Sequence, residues 1–196
     1  LRQGSVVNRI NRDAAHRPVR VSPETLRILD WARRISEATR GAYDITVGAL
    51  IQAYGFGQGD HRVPDFPRLD ALKRSVGHHL VMVYPGERTV LFKRHGVQID
   101  LDGLFINHLL NRGAAALRAA GAGAGRIDHP QGTAVVGSPP AEGVWEVRVE
   151  DPRNPARTLA RVKLAAGKVL TAGVRPREFV REGKRFHDVI DPQTGK

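Results

Sequence analysis

A chain of 196 residues, 41% hydrophobic and 26% charged, is long enough to bury its own core and is typical of a globular protein. No apolar run approaches the roughly 20 residues of a membrane-spanning helix, and the absence of cysteine excludes disulfides and thiol chemistry. The formal net charge of +11 suggests a nucleic-acid partner, but the basic residues alternate with acidic ones, so we expect none.

The first half of the chain predicts mainly helices. Ser22-Pro23 is a helix start, because the serine can cap free amides and proline lacks an N–H that this position does not need. Apolar residues then recur at helical period as far as Gly41. The elements expected next are helices Thr46–Tyr54 and Pro67–Val76, a hairpin of strands His79–Tyr84 and Arg88–Lys93, a strand Val97–Leu101 and a helix Leu104–Ala120.

The second half predicts strands only. They are Thr133–Val136, Val144–Glu150, Thr158–Leu164, Lys168–Thr171, Phe179–Arg181 and Arg185–Ile190. Early helices and late antiparallel strands predict an α+β fold with the last strands forming one sheet. The glycine-rich run Ala119–Gly125 follows a helix instead of opening one, so we interpret it as a helix exit and not as a dinucleotide fingerprint. The histidines show no metal-binding spacing.

The chain ends in a polar turn, Asp191-Pro-Gln-Thr-Gly195. Pro192 stops the preceding strand, and Gly195 tolerates unusual φ values. The pattern therefore predicts a rigid turn that presents the Asp191 carboxylate and the Thr194 hydroxyl, with His187 and Asp188 just upstream. A strand-ending turn that is simply polar remains the alternative.

Six motifs resemble those of the ApbE-type FAD:protein FMN transferases, in the same order and at about the same spacing. They are Ser5-Val-Val-Asn-Arg-Ile-Asn11, Gly41-Ala-Tyr-Asp-Ile-Thr46, Tyr54-Gly-Phe-Gly57, Asp100-Leu-Asp-Gly103, the stretch from Trp145 to Pro152, and the Asp191-Pro192 turn. The resemblance implies an α+β fold of the ApbE type (T-fold-like) over residues 1–196, as a single domain truncated at both ends.

The resemblance also implies a site. FAD would contact Ala42, Tyr43, Asp44, Thr46, Asp100, Asp191 and Thr194, the Gly103 carbonyl would bind Mg²⁺, and His187 and Asp188 would serve the transfer step. The Tyr43 ring would stack on a flavin or adenine ring. The alternative is that Tyr43 belongs to the core and that Asp44 caps a helix through Thr46.

Several positions depart from the family pattern. Ile106 replaces a lysine, Pro130-Gln131 replaces a glycine pair, Thr171-Ala-Gly173 replaces Thr-Ser-Gly, and Asp188 replaces a histidine. Isoleucine cannot act as a cation toward phosphate, and an added carboxylate repels an anionic ligand. We therefore expect weak FAD binding and absent or very slow transfer. Alternatively, Asp188 recruits a cation and His187 takes the role of the lost histidine.

Three functions follow as hypotheses. The first is Mg²⁺-dependent transfer of FMN from FAD to a threonine of a respiratory acceptor protein, in a copy that is degenerate at the active site. The second is a non-catalytic flavin-binding or interaction module, and the third is a basic nucleic-acid-binding protein. The resemblance further implies a periplasmic or inner-membrane lipoprotein, with a membrane anchor outside this chain.

Overall fold

The structure is a computed structural model that describes residues 4–57, 59–139, 143–151, 154–170 and 177–196. Its helices are α1 Val6–Asp13, α2 Pro23–Ala38, α3 Gly48–Ala53, α4 Phe66–Lys73 and α5 Asp102–Ala119, with a 3₁₀ turn at His78–Leu80. Its strands are β1 Val19–Arg20, β2 Val81–Tyr84, β3 Thr89–Phe92, β4 Gly125–His129, β5 Gly132–Val136, β6 Trp145–Asp151, β7 Asn154–Leu164, β8 Gly167–Leu170, β9 Glu178–Arg181 and β10 Lys184–His187. The chain divides into two compact units, Leu1–Leu101 with Pro176–Lys196 and Asp102–Arg175.

Capping residues set the helix starts of the first unit. The Ser22 hydroxyl accepts a hydrogen bond from the Thr25 N–H at 3.1 Å, and Pro23 is the first residue of α2. The Ser5 hydroxyl caps α1 in the same way, through the Asn8 N–H at 3.2 Å. The predicted start of α2 is thereby confirmed.

The core of the first unit joins helices that are distant in sequence. Its buried members are Leu50, Tyr54, Phe56, Leu69 and Ile190. The antiparallel sheet β1-β3-β2 contains the predicted hairpin, in which Val83 pairs with Val90. Strands β9 and β10 form a separate antiparallel hairpin. Ile190, just after β10, thus ties the end of the chain to α3 and α4 of the same core.

The second unit packs α5 against the antiparallel sheet β4-β5-β8. Strand β5 is buried along its whole length, and Leu110 of α5 is fully buried as well. Strands β6 and β7 form a long antiparallel hairpin with irregular register around Glu150. Neither α5 nor any other helix in the described residues is long and apolar enough to cross a membrane.

Two expectations from the sequence need correction, and some elements were not predicted. Val97–Leu101 is not a strand, since Gln98 makes only an isolated parallel bridge to Val47. The late strands form separate small sheets instead of one. Helix α1 and strand β4 were not predicted; α1 is short and strongly polar, and β4 begins inside the glycine-rich run. That run does end α5, as expected.

Candidate functional site

Asp44 and Thr46 form a buried polar node before α3. Their exposed fractions are 5% and 0%. One Asp44 oxygen accepts hydrogen bonds from the Thr46 N–H at 2.8 Å and from the Thr46 hydroxyl at 2.6 Å, and the other accepts from the His78 N–H at 2.6 Å. The Thr46 hydroxyl in turn accepts from the Gly77 N–H at 2.6 Å. The node therefore fastens the turn at residues 77–78 to the loop before α3.

The expected alternative, in which Asp44 caps the helix through Thr46, is wrong. The N-cap residue of α3 is Val47, and it makes no side-chain capping bond. One Asp44 oxygen binds Thr46 two residues later, and the other accepts from the His78 N–H across the fold, so this carboxylate supports the site more than it faces a ligand.

Tyr43 and Asp100 lie beside this node. Burial, and then the nearby Asp100 and Asp44 carboxylates, raise the pKa of the Tyr43 phenol to about 12. The Asp100 N–H donates to the Ile45 carbonyl at 2.7 Å, which holds the Asp100 backbone against the loop before α3. The structure thus brings Tyr43, Asp44 and Asp100 together, and the phenol remains a neutral hydrogen-bond donor at physiological pH.

Asn11 holds the segment that carries Asp100. Its side chain donates to the Ile99 carbonyl at 2.9 Å and accepts from the Ile99 N–H at 2.8 Å. Gln98 donates back to the Asn11 carbonyl at 3.2 Å. The residues before Asp100 therefore bond to an asparagine side chain instead of a neighbouring strand. Asn11, the last residue of the first motif, is a positioning residue that the motif did not predict.

The C-terminal turn has the predicted rigid form. The Asp191 carboxylate accepts from the Gln193 N–H at 2.8 Å, which is the first cause of its lowered pKa, and the Gly195 N–H donates to the Asp191 carbonyl at 2.8 Å. Gly195 has a φ of 75°, and the buried Tyr54 hydroxyl donates to its carbonyl at 2.9 Å. The Asp191 and Thr194 side chains are exposed. The turn is anchored to the core while its polar groups remain accessible.

The node and the turn meet at one pocket, which we call the Asp44 pocket. Its volume is about 480 Å³, within the usual range for small-molecule sites. Asp44 and Gly77 line one side of it, and Pro192 and Gln193 line another. The remaining described lining residues include three cations, Arg40, Lys73 and Arg74, together with Gly41, Asp70, Val76, His78 and His79.

The charges of the Asp44 pocket favour an anionic ligand. The Asp70 carboxylate forms ion pairs with Arg74 at 3.1 Å and with Lys73 at 4.0 Å. The Asp44 oxygens already accept hydrogen bonds from Thr46 and His78. Arg40 adds a further cation to the lining. An excess of positive charge attracts phosphate or carboxylate groups.

His187 and Asp188 lie outside the described lining of this pocket. Asp188 contacts Arg177 at 3.5 Å; burial raises the pKa of its carboxyl group, and Arg177 opposes that rise. His187 lines a different cavity of the first unit. Asp188 therefore has Arg177 as a cationic neighbour, and His187 is not among the residues that line the Asp44 pocket. Their catalytic roles stay predictions.

The remaining predicted residues lie as follows. Ala42 is exposed next to Tyr43, Gly103 is exposed in the first turn of α5, and Ile106 is half-buried one turn later. Pro130-Gln131 forms the turn between β4 and β5. Thr171-Ala-Gly173 lies outside the described residues. In the described ranges no group of three or more acidic or histidine side chains could hold a metal ion.

Comparisons with known proteins converge on one family. The model of the ApbE family matches residues 1–196. An FAD:protein FMN transferase of Klebsiella pneumoniae is 32% identical over 208 residues, which cover 98% of this chain and 56% of that protein. The crystal structure of an ApbE protein of Thermotoga maritima superposes with a TM-score of 0.92 at 30% identity, over 98% of this chain and 62% of that one.

A more distant structure shows the fold alone. The flavinyl transferase ApbE of Pseudomonas stutzeri has a TM-score of 0.81 at 22% identity over 98% of this chain and 60% of that one. The chain therefore spans less than two thirds of the length of each of these relatives.

Proposed function

The chain belongs to the ApbE family, and on that premise we propose that it forms part of an FAD:protein FMN transferase and contributes to its FAD site. The observation that carries the proposal is the match of the whole chain to the family, together with the Asp44 pocket built from two of the family's motifs. The resemblance placed Asp44 and the Asp191 turn at a flavin site, and both reach this pocket or its rim.

The proposed reaction transfers a flavin phosphate between two oxygens. The hydroxyl oxygen of an acceptor threonine forms a bond to the phosphorus on the FMN side of FAD, the P–O bond to the AMP part breaks, and AMP leaves. The hydroxyl proton passes to a base. Such a reaction depends on positioning and on neutralising phosphate charge, for which basic residues are suited.

The residues of the first unit would have distinct parts in binding. Tyr43 offers a half-buried ring and a neutral hydroxyl, and Asp100 a carboxylate beside it. Arg40, Lys73 and Arg74 offer positive charge around the Asp44 pocket. Asp44, Thr46 and Asn11 would act indirectly, since their hydrogen bonds hold the loops that carry these groups.

A second candidate is a flavin-binding module without transferase activity. The departures at Ile106 and Asp188 favour it, because the side chain of Ile106 carries no charge and Asp188 contacts Arg177. His187, the residue proposed to compensate, lines another cavity. On this view the chain binds FAD weakly and does not release AMP.

Two measurements test these candidates. Calorimetric titration with FAD, with and without Mg²⁺, measures binding; incubation with FAD, Mg²⁺ and a threonine-containing acceptor peptide, followed by mass spectrometry, measures transfer. Binding and a mass gain of one FMN support the transferase, and binding without a mass gain supports the module. Absence of binding to this chain would overturn both.

The cellular location is a separate proposal. On the family resemblance alone, we propose that the protein works in the periplasm or at the inner membrane. Fractionation of cells that express the complete gene product tests it, and recovery in the cytoplasmic fraction would contradict it.

A further inference from the structure

Helix α2 ends in a Schellman motif, and the residue in the left-handed position of this motif is an arginine. The Gly41 N–H donates to the Ser36 carbonyl at 2.8 Å, and the Arg40 N–H donates to the Glu37 carbonyl at 3.1 Å. Arg40 has a φ of 53°. Glycine or asparagine is favoured at this position, because a larger side chain in the left-handed region strains the backbone. Arg40 is therefore an unfavourable residue for ending this helix.

Arg40 also lines the Asp44 pocket, where it differs from the other lysine and arginine side chains of the lining. Lys73 and Arg74 both form ion pairs with the Asp70 carboxylate, at 4.0 Å and 3.1 Å. The Arg40 side chain has no hydrogen-bond or ion-pair partner among the described residues. Within the described lining, Arg40 is thus the arginine whose guanidinium is available to a ligand.

The backbone donors of the Asp44 pocket are already used. The Gly77 N–H donates to the Thr46 hydroxyl, and the His78 N–H donates to the Asp44 carboxylate. A guanidinium presents its N–H donors in a planar fork that fits two oxygens of a phosphate group. Among the described groups of the lining, Arg40 therefore fits a phosphate best.

We propose that Arg40 binds a phosphate group of the ligand and gives the Asp44 pocket a preference for phosphate-bearing flavins; the inference rests on the FAD site proposed above. The Thr39 hydroxyl accepts from the Tyr43 N–H at 3.1 Å, so the loop that contains Arg40 is fixed to the end of α2. A side chain on a fixed loop loses less freedom when it binds a ligand. Backbone strain at a residue that lines a ligand pocket is typical of functional sites.

A structural role for Arg40 makes a different prediction. A cation after the last turn of a helix interacts favourably with the helix dipole. On that account, removal of the Arg40 charge would destabilise the protein and would leave ligand binding unchanged. On our account, Arg40→Asn relieves backbone strain, since asparagine tolerates the left-handed region, and the variant loses affinity for phosphate.

Calorimetric titration of the 196-residue chain with inorganic pyrophosphate, FAD and riboflavin tests the proposal. Arg40→Asn should lower the affinity for pyrophosphate and for FAD about tenfold, the effect of losing a charge-assisted hydrogen bond. Riboflavin carries no phosphate, so the same variant should bind it as the parent does. Urea denaturation should show that Arg40→Asn is at least as stable as the parent. Arg40→Gly, which this φ also allows, is a second variant for the case that asparagine does not fold.

Arg88→Asn is the matched control. Arg88 is also an arginine in the left-handed region, with a φ of 55°, but it lies in the turn between β2 and β3 and is not among the residues that line the Asp44 pocket. The substitution therefore removes the same charge and the same kind of backbone strain at a distance from the site. We expect Arg88→Asn to keep the parent affinity for pyrophosphate and FAD.

The outcomes separate this inference from the proposed function. Unchanged pyrophosphate affinity in Arg40→Asn, an equal loss in Arg88→Asn, or no pyrophosphate binding by the parent at millimolar concentration would overturn the role of Arg40. A parent that still binds FAD would leave the proposed function in place in each of these cases. A parent that binds pyrophosphate through Arg40 but does not bind FAD would overturn the proposed function and keep Arg40 as an anion-binding residue.

Discussion

The loop before α3 and the C-terminal turn each carry an aspartate followed closely by a threonine, yet the fold uses the two pairs in opposite ways. Asp44 and Thr46 are buried, and their hydrogen bonds reach Gly77 and His78, more than 30 residues away along the chain. Asp191 and Thr194 are exposed, and Asp191 bonds within its own turn, to Gln193.

The contrast distinguishes residues that support the fold from residues that a ligand can contact. A buried carboxylate must have its acceptor positions filled by the protein, because an unpaired buried charge is strongly destabilising. A surface carboxylate in a turn can exchange water for a ligand at little expense. Residues of the same type within two motifs of one family therefore differ in this structure: one pair belongs to the scaffold and the other is accessible.

The largest effect is expected from Asp44→Ala. It leaves the Thr46 and His78 N–H groups without their acceptor, and each unsatisfied buried donor costs about 1–3 kcal/mol. We expect urea denaturation to show a loss of about 3–5 kcal/mol in the free energy of unfolding. Asp191→Ala is the control, with an expected loss below about 1 kcal/mol. Equal losses of unfolding free energy in the two variants would contradict the assignment of Asp44 to the scaffold and of Asp191 to the accessible groups.

Gly48→Ala tests the packing that holds Asp100 near the same loop. A Cβ atom at Gly48 would lie 2.6 Å from the Gln98 carbonyl oxygen, which itself accepts the Gly48 N–H at 3.0 Å. Because backbone must move, we expect a loss of about 1–3 kcal/mol in unfolding free energy. Gly86→Ala is the matched control, since Gly86 lies in a turn with open space around it and no positive φ. A stable Gly48→Ala protein would show that the contact is loose.

The sequence predicted the features that depend on local chemistry. The start of α2 follows from Ser22 and Pro23, and the rigidity of the last turn follows from Pro192 and Gly195. The sequence did not predict the hydrogen bonds between residues that are distant along the chain. Nothing near Asn11 indicates that its side chain pairs with Ile99, 88 residues later, and this pairing is what replaces the strand expected at Val97–Leu101.

The same limit applies to the candidate site. The motifs predicted that Asp44 and Asp191 belong to one site, and the Asp44 pocket is lined by Asp44 and by Pro192 and Gln193 of the Asp191 turn. Neighbouring residues at the chain end have different surroundings: His187 lines one cavity, while Asp188 contacts Arg177. The sequence alone could not show which of these neighbours reaches which space.

The pKa of the Tyr43 hydroxyl responds to the carboxylates around the buried node, Asp100 and Asp44. In the folded protein its pKa is raised to about 12 by burial, Asp100 and Asp44, whereas an unfolded tyrosine ionises near pH 10. Between about pH 10 and 12 the unfolded chain has lost a proton that the folded one keeps, so stability falls as pH rises through this window. Below about pH 10 this contribution is fully present.

Ultraviolet titration of the phenolate measures this directly. Tyr43→Phe should remove the component near 12, and Asp100→Asn should shift that component toward the ordinary tyrosine value. Tyr84→Phe, at an exposed tyrosine of the β2–β3 hairpin, should leave this component in place. A Tyr43 titration near pH 10 would mean that the carboxylates do not act on this ring.

The smallest effect is expected at Asp191, on the exposed side. The Gln193 N–H, and then Thr194, hold the pKa of Asp191 below its ordinary value. A group whose pKa is lower in the folded state stabilises the protein at pH values above its unfolded pKa of about 3.9, and this contribution is lost as pH falls through the folded pKa.

Carboxyl NMR titration should therefore show Asp191 ionising at lower pH than a free aspartate, and Thr194→Val should raise the pKa of Asp191 part of the way back. Because the Asp191 side chain is exposed, solvent screens these interactions, and the acid stability of Asp191→Asn should differ little from that of the parent. A large loss at neutral pH in this variant would instead place Asp191, like Asp44, among the groups that hold the scaffold.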